Sequence, residues 1–336
     1  MKSYELQKRD GFSALAPCER ERAKLGPHDV RVRVRAVSLN FRDLAIAKSA
    51  KNSKKPPVVP CSDGAGEVIE VGSDVGRLKL GDRVAANFFP HWRDGEPDAT
   101  MHRNALGGTI DGMLREEVVL DQSAWVLFPK YLSYEEAATL PCAGVTAYNA
   151  LFESASLKPG DTLLVQGTGG VSMFALQLAR AAGAQVIVTS SSADKRERAK
   201  KLGAVHTIDY KATPAWGEAA LAFTGGRGVD IVVEVGGPGT FDQSVAALRY
   251  TGTMSILGTL SGLQGEVNTF GIFHKALRVH GVYVGSVRMF EMLNRALSLH
   301  QIHPIVDRVF SFDDARSAYE YLASGQHFGK VVVRVD

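Results

Sequence analysis

The sequence predicts an α/β protein: a doubly wound parallel sheet together with a second, β-rich domain. Three observations carry this. From Val145 onward, short Val/Ile-rich runs alternate with helical periodicity, residues 1–140 are strand-like with few helices, and one strand-to-helix junction is a run of glycines. A chain of 336 residues suits two domains of ~100–200 residues better than one core.

Val30 to Val37 (VRVRVRAV) alternates strictly, which predicts a strand with one apolar face. Gly64 to Val71, Arg83 to Ala86 and Leu114 to Leu120 are the next strands, with Gly-Asp and Gly-Ser turns among them. Further on, strands at Thr162 to Gln166, Gln185 to Thr189, His206 to Asp209, Asp230 to Val235 and Thr253 to Leu257 are separated by helices. Such alternation implies a parallel sheet covered by helices on both faces. Val279 to Gly285 is expected to end that sheet. A helix (Met289 to His300), a strand (Val306 to Phe310), a helix (Asp313 to Ser324) and a strand (Lys330 to Val335) then return to the first domain. The expected division is 1–144 with 287–336 for the β-rich domain and 145–286 for the sheet-and-helix domain.

The strongest local signal is LLVQGTGGVSMFALQLARAA, Leu163 to Ala182. A buried strand enters Gly167-Thr168-Gly169-Gly170, and a helix follows with Val171, Phe174, Ala175, Leu178, Ala179 and Ala182 on one face. Glycines let the backbone turn sharply beside a pyrophosphate, and the free amides of a helix start attract its charge, so this is a Rossmann-type dinucleotide site. Ser172 occupies the third motif position, where a small residue still permits close packing. An NAD site places an acid at the end of the second strand. That strand here ends Thr189-Ser190-Ser191-Ser192, with Lys195 and Arg196 just beyond, which favours NADPH and its 2′-phosphate.

The net charge of +3 is too small to argue for nucleic acid. The basic run Lys48 to Lys55 reads first as a solvated loop, with a loop guarding an anionic cofactor as the other reading. Three cysteines, Cys18, Cys61 and Cys142, form no CxxC pair and no even framework, so a reducing cytoplasm is expected. MKSYELQKRD has no apolar core of signal-peptide type, and no apolar run is long enough for a membrane helix.

Several motifs in order resemble the medium-chain dehydrogenase/reductase superfamily, and within it the zinc-free quinone oxidoreductase and enoyl reductase branch. They are AVSLNFRDL (Ala36 to Leu44), CSDGAGEVIEVG (Cys61 to Gly72), GDRV (Gly81 to Val84), LPCAGVTAYNAL (Leu140 to Leu151), the glycine turn, GGRGVDIVVEV (Gly225 to Val235) and FGKVV (Phe328 to Val332). The resemblance implies a GroES-like catalytic domain beside the Rossmann domain. It implies that Thr146, Gly236 and Gly258 lie along the cofactor, that Lys195 and Tyr210 hold the 2′-phosphate, and that Lys330 reaches the pyrophosphate. It also implies a homodimer paired through Val279 to Gly285.

Zinc alcohol dehydrogenases place metal ligands at the positions of Asn40, Ser62 and Cys142, of which only the cysteine is a ligand-type side chain. The segment Phe88 to Leu114, which matches the structural zinc lobe, contains no cysteine, and its His91, His102 and Asp111 are irregularly spaced. No metal is expected. Asn40 is the first candidate to steady a developing oxyanion, Ser62 and Arg42 are second, and Cys142 lines the pocket. Each has a structural alternative: Asn40 with Asp43 reads as a helix cap, Arg42 and Asp43 as an ion pair, and Cys142 as a small buried hydrophobe. The expected function is hydride transfer from NADPH to a quinone or α,β-unsaturated carbonyl. The alternatives are an alcohol or aldehyde dehydrogenase, a reductase of carrier-bound enoyl chains, and a non-catalytic NADP(H)-binding protein.

Overall fold

The computed structural model describes residues 1–52 and 57–335. Of the basic loop, residues 53–56 lie outside the described residues. The chain forms two compact units, Met1–Val145 with Val284–Asp336, and Thr146–Tyr283. The boundaries read from the sequence were 144/145 and 286/287.

The first unit contains strands β1 (Lys2–Leu6), β2 (Leu15–Glu19), β3 (Asp29–Ser38), β4 (Asp63–Val71), β5 (Arg83–Ala86), β6 (Glu117–Asp121) and β7 (Trp125–Leu127). The second contains β8 (Thr162–Gln166), β9 (Gln185–Thr189), β10 (His206–Ile208), β11 (Val229–Glu234), β12 (Leu248–Ile256) and β13 (Arg278–Gly281). The tail of the chain adds β14 (Val306–Phe310) and β15 (Lys330–Arg334) to the first unit.

Strand β3 organises the first unit. One edge pairs antiparallel with β4, while the other is shared between β6 and β15. The path continues β14-β15-β3-β4-β5-β7, and β1 and β2 form a separate hairpin. The alternation in β3 is broken at Arg31 and again over Ala36 to Ser38, which are all buried. Arg31 is 5% exposed, and its guanidinium donates to Glu70 at 2.6 Å and to the Ala23 carbonyl at 2.8 Å. A buried arginine is tolerated because its donors are taken up.

The expectation of few helices here was incomplete. Phe41–Ser49 is a helix, and Tyr134–Ala137 begins a series of helical turns, some of the wider π type, that runs to Ser154. Asn40 caps the first of these helices through its backbone, since the Asp43 carboxylate accepts the Asn40 N–H at 2.8 Å. Asp43 is fully buried, and desolvation raises its pKa to about 6 despite the nearby Arg42.

The second unit is a six-stranded parallel sheet in the order β10-β9-β8-β11-β12-β13. Its strands are almost wholly buried near the centre: every residue of β8 and β11 is buried. The order reverses between β8 and β11, which is where such sheets open a crevice for ligands. The terminal strand β13 runs from Arg278 to Gly281 rather than from Val279 to Gly285, and the left-handed backbone of Val284 (φ +59°) keeps a β ladder from reaching Gly285.

Gly66 in β4 shows how closely the first sheet is built. A Cβ there would lie 2.1 Å from the Arg33 carbonyl oxygen of β3. Gly66→Ala should therefore lower stability by about 2–3 kcal/mol in urea unfolding. Gly76→Ala, where an added Cβ meets nothing within 4 Å, is the control and should stay within about 0.5 kcal/mol. Equal effects at the two positions would refute the packing argument.

Candidate active site

The glycine turn lies at the end of β8, beside the reversal of strand order. Gly167 has φ +69°, a conformation that favours glycine, and its N–H donates to the Thr189 carbonyl of β9 at 2.8 Å. A Cβ built on Gly167 or on Gly169 would meet nothing within 4 Å. The turn thus faces open space. Gly169 caps the helix Gly170–Ala181 and has no side chain to bond its first-turn amides. Those amides point the positive end of the helix dipole into the space that the glycines leave, which suits a pyrophosphate. Thr168 is buried, whereas Gly170 and Val171 are partly exposed. Ser172 is 2% exposed, and its hydroxyl donates to the Gln166 carbonyl at 2.7 Å, tying helix to strand.

A buried carboxylate that the sequence reading did not single out fixes this region. Glu234, fully buried at the end of β11, accepts hydrogen bonds from the amides of Gly236 (2.7 Å) and Gly237 (2.9 Å) and from the Thr240 hydroxyl (2.5 Å). Its other oxygen accepts from the Gln166 amide at 2.6 Å and from the Ser244 hydroxyl. Gln166 in turn accepts the Val235 and Gly236 amides at 3.1 Å each. The ends of β8 and β11 and the helix Pro238–Ala247 are thereby one hydrogen-bonded assembly. Gly236 and Gly258 also have packing reasons to be glycine, since an added Cβ would lie 2.2 Å from the Thr240 hydroxyl oxygen and 2.4 Å from the Val235 carbonyl oxygen, respectively.

At the end of β9, Ser190 is 5% exposed and donates its N–H to the Ile208 carbonyl at 2.9 Å. Ser191 is partly exposed, and Ser192 caps the helix Ala193–Lys201 by accepting the Lys195 N–H at 3.3 Å. Tyr210 follows the end of β10 and is 41% exposed. Thr146, 5% exposed, is the first residue of this unit.

The other candidates lie in the first unit. The Lys330 side chain is 4% exposed, and its ammonium donates to the Asn40 Oδ1 at 2.6 Å and to the Leu39 carbonyl at 2.5 Å. Asn40 and Leu39 thus supply two acceptors for the ammonium. Asp63, fully buried, accepts from the Ser62 hydroxyl at 2.6 Å and the Cys142 N–H at 3.0 Å. Burial pushes the Asp63 carboxyl up, opposed by the Lys330 ammonium and the Ser62 hydroxyl. Burial, then Asp63, push the Cys142 thiol well above its ordinary value. Arg42 donates to the Leu106 carbonyl at 2.9 Å, sits 4.5 Å above the Phe88 ring and lies 3.8 Å from Asp43. Asn40, Ser62, Cys142 and Lys330 are thus brought together around Asp63, while Arg42 braces the loop beside them.

In the segment that matches a structural zinc lobe, Asp111 bonds Arg20 at 2.6 Å and the Val59 amide at 2.9 Å, and Phe88 and Phe89 are fully buried. Among the described residues, no three His, Cys, Asp or Glu side chains gather as a metal site. No helix among them is long and apolar enough to cross a membrane.

A parallel sheet with an open glycine turn at its reversal, joined to a β-rich unit that holds a buried polar cluster, defines a two-domain dinucleotide-dependent oxidoreductase. Residues 26–130 match the alcohol dehydrogenase GroES-like domain, and residues 170–299 match the zinc-binding dehydrogenase family. A zinc-type alcohol dehydrogenase-like protein of Schizosaccharomyces pombe is 48% identical, over 97% of this chain and 96% of its own. The crystal structure of an NAD-dependent alcohol dehydrogenase superposes with a TM-score of 0.91 at 32% identity, covering 100% of both chains. The quinone oxidoreductase of Pseudomonas syringae pv. Tomato DC3000 superposes with a TM-score of 0.84 at 26% identity, over 99% of each chain. The chain belongs to the medium-chain dehydrogenase/reductase superfamily.

Glu234→Gln puts an amide NH2 where only donors converge. It should lower stability by about 2–4 kcal/mol in urea unfolding. A loss below about 0.5 kcal/mol would show that the buried network does not hold the turn.

Proposed function

We propose that this protein transfers hydride from NADPH to a quinone or an α,β-unsaturated carbonyl without a zinc ion. The observation that carries the zinc-free reading is the Lys330 ammonium, buried 2.6 Å from the Asn40 Oδ1. Asn40 stands at one of the positions where zinc enzymes of this family have a ligand. A divalent cation there would have to sit beside a fixed positive charge and recruit a neutral amide and a serine, which do not suit it.

The residues of the second unit fit a dinucleotide. Gly167 and Gly169 leave the space, the amides at the start of the helix Gly170–Ala181 meet the pyrophosphate, and the serines of the β9 tip take the 2′-phosphate together with Lys195 and Tyr210. When bound, the cofactor supplies the hydride. The first unit supplies electrostatics. Because an ammonium only donates, Lys330 fixes the Asn40 amide with its oxygen inward, and this leaves the amide nitrogen as the donor for an acceptor oxygen that gains charge. Conjugated acceptors suit such a site because they spread that charge, whereas simple alcohol chemistry leans on a metal.

We also propose a homodimer through β13, the terminal strand of its sheet. Val279 and Tyr283 at this edge are exposed, as are Phe270 and Phe273 close by in sequence. Light scattering should give twice the chain mass, and Val279→Lys should shift it toward the monomer. A monomeric wild type would exclude the proposal.

Chelator-treated protein should oxidise NADPH with a quinone or enone from a small panel that also includes aldehydes, faster than it oxidises NADH and at the same rate as untreated protein. Activity lost with the metal would favour the alcohol dehydrogenase reading, to which the NAD-dependent neighbour points. Cofactor binding with no turnover of any acceptor would favour a binding protein.

A further inference from the structure

The ends of β9 and β10 are clamped by one side chain. Arg196 Nη1 donates to the Ser190 carbonyl at 2.8 Å and to Asp209 Oδ2, also at 2.8 Å. Ser190 begins the serine tip directly after β9, and Asp209 directly follows β10 and precedes Tyr210. The acid absent from the end of the second strand is therefore present one strand over, close enough to share a guanidinium nitrogen with the tip.

Three donors already engage its carboxylate. Oδ1 receives the Lys211 amide at 3.0 Å and the Ala212 amide at 3.1 Å, and Oδ2 receives Arg196. The Ala212 and Lys211 amides, with Arg196, hold this carboxyl below the usual carboxylate range, so it is ionised at neutral pH. While paired, its charge is compensated. Unpaired, it would be a bare anion beside the serines.

We propose that the Arg196–Asp209 pair sets the preference of this site for a 2′-phosphorylated dinucleotide, with Arg196 as a positioning residue that neutralises Asp209 and holds the Ser190 carbonyl. This rests on the NADPH reading above. Without Arg196, the Asp209 charge repels a 2′-phosphate but meets no phosphate on the adenosine ribose of NADH. The loss is selective for that reason, and removing the carboxylate as well restores the binding.

Dissociation constants for NADPH and NADH, read by nicotinamide fluorescence at fixed ionic strength, test this on the full chain. Arg196→Met should weaken NADPH by about tenfold or more and change NADH by less than about threefold. The double variant Arg196→Met/Asp209→Asn should recover most of the NADPH affinity, and Arg196→Lys should keep the preference. Asp209→Asn alone leaves Arg196 uncompensated and should bind NADPH as tightly as wild type or more so. This arm stands even if Arg196→Met folds poorly. Parallel weakening of both nucleotides, no recovery in the double variant, or weaker NADPH binding by Asp209→Asn would overturn the proposal while the NADPH reading stands. A wild type that binds NADH as well as NADPH would overturn both.

Discussion

The second unit depends on one buried carboxylate. Glu234 has no water to solvate it, so its charge is tolerable only while a full set of donors surrounds it. Those donors come from Gln166 on β8, from the amides of Gly236 and Gly237, and from Thr240 and Ser244 on the following helix. Since Gln166 directly precedes Gly167, the position of the glycine turn follows from satisfying a charge on the neighbouring strand. The open space beside the turn is accordingly held by a dense polar assembly behind it. Loops that bind ligands are often mobile. This one is anchored to the most buried part of its sheet.

The first unit solves a related problem with the opposite sign. Lys330 is a buried cation, Asp63 a buried anion, and Asn40, Ser62 and the Cys142 amide complete their hydrogen bonds. Lys330 acts on Asp63 through space rather than as a direct ion pair, and removing any one of these groups leaves a buried polar partner unsatisfied. The cluster therefore resists piecemeal change, and it fixes which end of the Asn40 amide points where.

Much of this was legible in the sequence. The strands Thr162–Gln166, Gln185–Thr189 and Arg83–Ala86 are observed where their apolar runs predicted them, because a buried strand has few ways to arrange such residues, and the exposed or half-buried Val306–Phe310 also stands where it was expected. The glycine turn was legible because its chemistry is local. The hairpin Lys2–Leu6 with Leu15–Glu19 was not, since neither strand alternates and the second contains Pro17. Arg31 misled in another way: one member of a regular VRVRVR pattern is buried because Glu70 and Ala23 lie where its guanidinium can reach them. Glu234, Lys330 and the Arg196–Asp209 pair share that character. Gln166 and Glu234 are 68 residues apart, and Asn40 and Lys330 are 290 apart, so only folding reveals those two contacts.

The pairing of β15 with β3 sets an order of assembly on the growing chain. Val332, Val333 and Arg334 lie beside Ser38, Val37 and Ala36, so the first unit cannot close its sheet, or join Lys330 to Asn40, until almost 300 further residues have been made. Residues 146–283 contain no such debt to later sequence, and their six strands are contiguous in the chain. During synthesis the nucleotide-binding half can reach its native sheet while β3 still waits with one edge partly unpaired. For that interval, the N-terminal half is the part of the molecule open to chaperones and to pairing with the wrong strand.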